Sequence, residues 1–108
     1  MIDTNLSIIE DLSKDKTNRL IIKGPVSSSN ASILQHKLDE TLKEGYKRII
    51  LNMREVSFLA SGGIRVLLMY YKIANGRGSS FFIEDPSENV KNVLGMIALD
   101  EMLLKSYI

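Results

Sequence analysis

The stretch Ser61-Gly62-Gly63-Ile64-Arg65 places a hydroxyl, two glycines and a cation at the predicted start of a helix. The free N–H groups and the macrodipole of a helix N-terminus favour an anion, and glycines let that anion approach the backbone. Arg65, one turn further on, supplies a charge that pairs with phosphate. A serine here also suits the simpler role of a helix cap that accepts a backbone N–H. The residues therefore indicate a capping serine, a phosphorylation site, or one hydroxyl that serves as both.

Arrangements that would indicate an enzyme are weak in this sequence. His36 is the only histidine, and no nucleophile–histidine–carboxylate arrangement is supported around it. The adjacent carboxylates Asp39-Glu40 and Asp100-Glu101 do not share a helical face, which argues against paired acid–base catalysis. The Ser61 stretch lacks the spacing and the terminal Lys-Ser/Thr of a phosphate-binding loop. We therefore predict a protein that is not an enzyme and that holds no metal or cofactor.

Composition is that of an ordinary globular domain. The chain has 108 residues, 44% of them apolar and 25% charged, so we predict one domain over residues 1–108. A net charge of +1 favours neither nucleic acid nor a membrane surface as a partner. The absence of cysteine excludes disulfides and thiolate metal sites. Because no apolar run is long enough to span a membrane and residues 1–5 lack a signal-peptide pattern, we expect a cytoplasmic protein.

The first half of the chain predicts a hairpin, a helix and a strand. Leu6 to Ile9 and Arg19 to Lys23 are short apolar runs separated by a polar turn over residues 13–18, with Gly24-Pro25 as a predicted stop. The cluster Ser27 to Asn30 holds N-cap residue types. An amphipathic helix and a buried strand follow. The helix carries Ala31, Leu34, Leu38 and Leu42 on one face and ends at Gly45, and the strand covers Lys47 to Met53.

The second half alternates in the same way. A second helix runs to about residue 76, and a strand follows over Ser79 to Glu84. Asp85 is the predicted cap of a third helix, with Pro86 in its first position and Glu88 completing a capping box. Met102 to Leu104 is a candidate last short strand. This alternation of strands and helices predicts an α/β domain with a mostly parallel sheet.

The second helix is unusually apolar. At about 100° per residue, its polar slot holds Ser61, Arg65 and Lys72, with Met69 at the edge. Either neighbouring helices cover the whole apolar arc, or a part of it that includes Met69 and Tyr70 is exposed to a partner. The apolar arc comprises Ile64, Val66, Leu67, Leu68, Tyr70, Tyr71, Ile73 and Ala74.

Residues 56–68 resemble the signature of STAS domains, the fold of anti-sigma factor antagonists. The strand at residues 47–52, Gly24 at the end of the second strand, and the region of residues 90–94 with Leu99 resemble the same family. The resemblance implies an α/β, STAS-like single domain. It has a mixed, mostly parallel sheet of four or five strands with helices packed on it.

The resemblance also implies a function in bacterial partner switching. Such a protein binds an anti-sigma factor, typically also a serine kinase, and so releases the sigma factor. Phosphorylation of the serine in the position of Ser61 blocks binding, and a metal-dependent, PP2C-type phosphatase restores it. The expected state is a monomer or weak dimer. The predicted partner-binding residues are Ser27, Ser28, Ala60, Gly62, Gly63, Arg65, Met69 and Lys72.

The sequence departs from the family signature at several positions. Ala60 replaces the motif aspartate, Gly62 replaces the second Ser/Thr, and Arg65 replaces the second motif glycine. Without the aspartate a phosphate on Ser61 meets less like-charge repulsion, and Arg65 adds attraction. Two alternatives stay open from the sequence: a STAS scaffold that is not phosphorylated, and a module that senses a nucleotide or lipid near Ser61 and Arg65.

Overall fold

The predicted alternation of strands and helices is present in the computed structural model, which describes residues 6–13 and 15–96. The candidate strand at Met102 to Leu104 lies outside these residues. The elements, in chain order, are β1 (Ser7–Ser13), β2 (Thr17–Val26), α1 (Ala31–Lys43), β3 (Arg48–Leu59), α2 (Ser61–Gly76), β4 (Ser80–Glu84) and α3 (Glu88–Met96).

The four strands form one sheet in the order β1-β2-β3-β4. β1 and β2 pair as an antiparallel hairpin, whereas β2, β3 and β4 run parallel. The crossovers through α1 and α2 step across the sheet in the same direction, and right-handed crossovers then place both helices on the same face. The predicted α/β fold with a mixed, mostly parallel sheet is thus confirmed.

The hydrophobic core lies between that face of the sheet and the helices. Alternate residues of each strand point toward it, because side chains along a strand alternate between the two faces. Each of the three helices contributes fully buried residues to the same cluster. The largest side chains that are almost completely buried are Phe81, Leu20, Ile22, Leu34, Leu38, Ile49, Leu51, Met53, Leu67, Ile83 and Leu94.

The predicted stop of the second strand at Gly24-Pro25 is wrong. β2 continues to Val26, with irregular pairing to β3 on both sides of Lys23 and a positive φ of 102° at Gly24. Pro25 pairs with Phe58 of β3, and the pairing of β1 with β2 within the described residues covers Thr17 to Lys23. The bulged extension carries β2 up to the start of α2.

β3 is also longer than predicted and reaches Leu59. Its pairing with β4 ends at Asn52, and among the described residues no strand pairs with this edge of β3 beyond that point. Residues at the start of α3 and just before it bind this edge instead. Ser87 Oγ donates to the carbonyl of Val56 at 2.7 Å, and Asn89 Nδ2 donates to the carbonyl of Ser57 at 2.6 Å. Side chains therefore satisfy backbone acceptors that a fifth strand would otherwise take.

The helix ends show one confirmed prediction and one error. α1 ends as predicted, with Gly45 at a left-handed φ of 81°. Asp85 does not cap α3: it has a φ of 50° and pairs with Arg54. Ser87 takes the capping role, since its Oγ accepts the N–H of Val90 at 3.2 Å. Among the described residues, no helix is long and apolar enough to cross a membrane.

A charged contact joins the β1–β2 hairpin to α1. Glu10 Oε1 accepts hydrogen bonds from Asn18 Nδ2 at 3.0 Å and from Lys37 Nζ at 3.1 Å. The hydrogen bond from Asn18, followed by the contact with Lys37, lowers the pKa of Glu10 from its ordinary 4.5. The carboxylate is therefore more stable in the folded protein than in the unfolded chain.

This contact predicts a pH-dependent contribution to stability. A lowered folded pKa stabilises the protein above about pH 4.5, and the gain is lost as the pH falls through the folded value. We expect Glu10→Gln to lower the free energy of unfolding at neutral pH, with a difference from wild type that shrinks under acidic conditions. Urea unfolding across this pH range measures it. Asp11→Asn, at an exposed carboxylate with no side-chain hydrogen bond or ion pair among the described residues, is the control. A gap that stays constant with pH would contradict a role for the charge.

Candidate functional site

Ser61 is exposed and is the first residue of α2. The cap position belongs to Ala60, whose backbone is extended (φ −84°, ψ 168°) and whose carbonyl accepts the N–H of Ile64 at 3.0 Å. The interpretation of Ser61 as a capping serine is therefore wrong, because the helical geometry begins at Ser61 itself and no side chain caps α2. Among the described residues, the Ser61 hydroxyl has no hydrogen-bond partner. The N–H groups of residues 61–63 precede the first intrahelical bond.

Gly63 lies against the ends of β2 and β3. A Cβ on this residue would be 2.6 Å from Cγ1 of Val26 and 2.8 Å from Cδ1 of Leu59, closer than real Cβ contacts come. Gly63, a predicted partner-binding residue, is buried and not itself exposed to a partner. It allows the first turn of α2 to lie directly on the sheet. The lack of a side chain at this position therefore has a steric cause.

The loop between β2 and α1 completes the site. A Cβ on Gly62 would lie 3.4 Å from Cα and 3.6 Å from Oγ of Ser28, which is exposed. The N–H of Ala60 donates to the carbonyl of Val26 at 2.8 Å, so the two loops are hydrogen-bonded where β2 and β3 end. The predicted residues Ser28, Ala60, Ser61 and Gly62 therefore lie together.

The buried side chain of Asn30 shapes the same loop. Its Oδ1 accepts the N–H of Ser27 at 2.8 Å, and its Nδ2 donates to the carbonyl of Pro25 at 2.9 Å. The Ser27 carbonyl in turn accepts the N–H of Ala31 at 3.0 Å. Ser27 is therefore half-buried and makes its backbone hydrogen bonds within the loop, whereas Ser28 presents its side chain to solvent. Asn30 occupies the N-cap position of α1, as its residue type predicted, but its side chain bonds the preceding loop and does not cap the helix.

Exposed side chains form one stripe along α2, which we call the α2 outer face. It contains the predicted residues Ser61, Arg65, Met69 and Lys72, and also Ile73. Met69 and Ile73 are each 37% exposed. The predicted polar slot is therefore the solvent side of the helix. The opposite side packs into the core through Gly63, Val66, Leu67, Tyr70 and Ala74.

Tyr70 does not belong to the exposed face, contrary to the sequence-based alternative. It is 4% exposed, because it points toward α1, and its hydroxyl donates to Asp39 Oδ1 at 3.4 Å. Burial raises the pKa of Tyr70, and the Asp39 carboxylate raises it further. A polar cleft of about 390 Å³ opens beside this contact and is lined by Ser32, Gln35, His36, Asp39 and Tyr70. This cleft does not include the Ser61 turn.

The chemistry open to the site is that of an exposed hydroxyl on a helix N-terminus. Ser61 offers a nucleophilic oxygen, the first-turn amides favour an anion beside it, and Arg65 supplies a positive charge one turn away. Within residues 6–13 and 15–96, no three His, Asp or Glu side chains lie close enough together to hold a metal ion. The site therefore suits a covalently attached anion or a protein surface.

Comparison with known proteins identifies the family. The family model of the STAS domain matches residues 13–107, so the chain belongs to the STAS domain family. BtrV of Bordetella bronchiseptica, named as a candidate anti-sigma factor antagonist, is 31% identical over 64 residues. That match covers 56% of this chain and 55% of the relative, so the chain spans little more than half of the relative's length.

Solved structures share the fold. An anti-sigma factor antagonist from Mycobacterium paratuberculosis has a TM-score of 0.83 at 13% identity, covering 95% of this chain and 87% of that one. The phosphorylated form of the Bacillus cell fate determinant SpoIIAA has a TM-score of 0.70 at 17% identity, covering 86% and 85%. At these identities the likeness shows the fold alone. STAS anti-sigma factor antagonists are generally binding proteins rather than enzymes.

The contact at Gly63 predicts a difference between two neighbouring glycines. Gly63→Ala forces Val26 and Leu59 apart from the first turn of α2, so we expect a loss of about 1–3 kcal/mol in the free energy of unfolding. Gly62→Ala meets only ordinary contacts with Ser28, and it gains about 0.5–1 kcal/mol from the better helix propensity of alanine. Urea unfolding of the two variants compares them directly. Equal midpoints would contradict the close packing of Gly63.

Proposed function

We propose that the chain is an anti-sigma factor antagonist that acts by partner switching. Unphosphorylated, it binds an anti-sigma factor that is also a serine kinase, and the sigma factor is released. The contact surface is the α2 outer face together with Ser28 of the neighbouring loop. Phosphorylation of Ser61 prevents binding, and a PP2C-type phosphatase restores it. In this role the chain works in the cytoplasm as a binding protein and not as an enzyme.

The observation that carries this proposal is the position of Ser61. Its hydroxyl is exposed, has no hydrogen-bond partner among the described residues, and lies on the same face of α2 as Arg65 and Met69. A kinase can therefore reach the oxygen without unfolding the helix. A phosphate adds about −1.5 to −2 charges at neutral pH, at the edge of the proposed contact surface. Such a charge is large enough to change which surfaces bind there.

The covalent step needs only ATP supplied by the kinase. Ser61 Oγ forms a bond to the γ-phosphorus, the bond between that phosphorus and the β,γ-bridging oxygen breaks, and ADP leaves. A base of the kinase takes the hydroxyl proton. Hydrolysis by the phosphatase returns the hydroxyl and releases inorganic phosphate. Near Ser61, the helix N-terminus and Arg65 stabilise the phosphoryl group once it is attached.

One feature of the site and one comparison support a modifiable serine in the absence of the motif aspartate. Ala60 leaves no acidic side chain directly before Ser61, so the attached phosphate meets no like charge there. SpoIIAA, whose fold this chain shares, has been determined in a phosphorylated form. The support for Ser61 as the acceptor in this chain comes from its own position on α2.

The proposal predicts the effect of a charge at Ser61. With an anti-sigma factor encoded in the same genome, we expect Ser61→Asp to weaken binding at least about tenfold, a change of about 1.4 kcal/mol, while Ser61→Ala binds like wild type. Titration calorimetry measures the affinities. Incubation with the same partner and ATP, followed by intact-mass analysis, should show one added phosphoryl group on wild type and none on Ser61→Ala.

Ser80→Asp is the control, because Ser80 is also an exposed serine and begins β4, which pairs there with the end of β3 opposite Ser61. It introduces the same charge away from the α2 outer face and should leave the affinity unchanged. Binding that survives Ser61→Asp, together with no phosphorylation, would show a constitutive STAS scaffold. Absence of binding to every anti-sigma factor of the genome would contradict the proposed function itself.

A further inference from the structure

Two cations on the α2 outer face lack an acidic partner. No carboxylate among the described residues forms an ion pair with Arg65 or Lys72. Most other basic side chains of the described residues are paired. These paired side chains are Arg19, Lys23, Lys37, Lys43, Arg48, Arg54 and Lys91. The other described basic residues without an ion pair, Lys16, Lys47 and Arg77, lie outside the α2 outer face. Arg65 and Lys72 are therefore the unpaired cations of this face.

Their spacing is regular. Arg65 and Lys72 are separated by seven residues, which in a helix is about two turns, or roughly 10 Å along the axis. Met69 lies between them, and Ile73 lies beside Lys72, each 37% exposed. The face thus presents a positive charge, an apolar side chain and a second positive charge in a row. No aspartate or glutamate occurs anywhere in α2.

A partner that binds this surface needs negative charges opposite the two cations. A partner that buried this row would remove water from two cations, which is costly unless carboxylates replace the water. The complementary surface carries two carboxylates about two helical turns apart with an apolar side chain between them. An acidic amphipathic helix packed alongside α2 presents both.

We propose that the α2 outer face docks an acidic amphipathic helix of the partner protein, with carboxylates placed opposite Arg65 and Lys72. This inference rests on the proposed function for the identity of the partner, and it names the chemistry of the surface that the partner uses. Nucleic acid is a poorer fit, because tight phosphate binding uses about six to ten cationic contacts and the chain carries a net charge of +1.

The same charges explain how a phosphate on Ser61 would act. Ser61 and Arg65 are one turn apart, the spacing at which side chains on a helix interact. A phosphate there pairs with Arg65 and so takes one cation from the partner. It also adds negative charge to a face that must receive carboxylates. Both effects weaken the same contact.

The test uses a pair of synthetic helical peptides. The first has two glutamates seven residues apart with leucine between them, and the second has lysine in place of both glutamates. Each peptide is titrated into the isotope-labelled full chain at two salt concentrations. Binding is followed through the backbone amide NMR signals of the chain. We expect the acidic peptide to shift the amides around Arg65, Met69 and Lys72, to bind at least about tenfold tighter than the basic peptide, and to weaken with salt.

The double variant Arg65→Glu/Lys72→Glu should reverse the preference in favour of the basic peptide. Lys47→Glu is the control, since Lys47 is exposed, has no ion pair among the described residues and precedes β3 at the far end of the sheet. Failure of the acidic peptide to bind, equal binding of both peptides, or equal shifts with a short DNA duplex would overturn the inference. The peptides contain no anti-sigma factor, so this failure is distinct from a failure of the proposed function.

Discussion

The contact of Gly63 with Val26 and Leu59 determines how α2 lies on the sheet. With no side chain at this position, the first turn of the helix comes within direct contact of the ends of β2 and β3. The buried face of α2 is then centred on Gly63 and Tyr70, and the opposite face is left to solvent. The exposure of Ser61, and of the charges that follow it on the same face, depends on this one close approach.

Other interactions keep the two strand ends in place beneath the helix. The Ala60 N–H donates to the Val26 carbonyl, and the side chain of Asn30 holds the loop that brings Ser28 next to Gly62. On the other side of β3, Ser87 takes the place of a strand partner through its bond to Val56. The candidate site is therefore built where several loops meet the carboxyl ends of parallel strands, the usual position for functional sites in such sheets.

The sequence predicted the parts of this structure that follow from periodicity. The order of elements, the end of α1 at Gly45 and the polar slot that contains Arg65 are all present. It failed where tertiary contacts override a local signal. Gly24-Pro25 is typical of a strand end, yet β2 continues through it with irregular pairing to β3. The sequence left the burial of Tyr70 open. This residue lies opposite Ser61 within the apolar arc, and the packing of α1 against α2 shows that it is buried.

Caps were the least predictable features of the site. Asp85 and Ser87 are both good cap residues, and the choice between them depends on the Val56 carbonyl, which is distant in sequence. Likewise, Ser61 resembles a cap in isolation, but Ala60, whose N–H is bonded to the Val26 carbonyl, holds the cap position, so the helix starts one residue earlier than a cap at Ser61 would allow. The family signature placed Ser61 at the right junction. The exposed row of Arg65, Met69 and Lys72, whose two cations form no ion pair among the described residues, can be identified only when burial and ion pairing are known.

The exposure of one defined face of α2 is directly measurable, because the chain contains no cysteine. Single cysteines introduced at Ser61, Arg65, Met69, Val66 and Ala74 report the accessibility of each position through their rate of reaction with a maleimide under native conditions. We expect fast labelling at Ser61, Arg65 and Met69. Labelling at Val66 and Ala74 should be slow, because it is limited by opening of the fold. Labelling at Val66 and Ala74 as fast as at Arg65, in variants that remain folded, would contradict it.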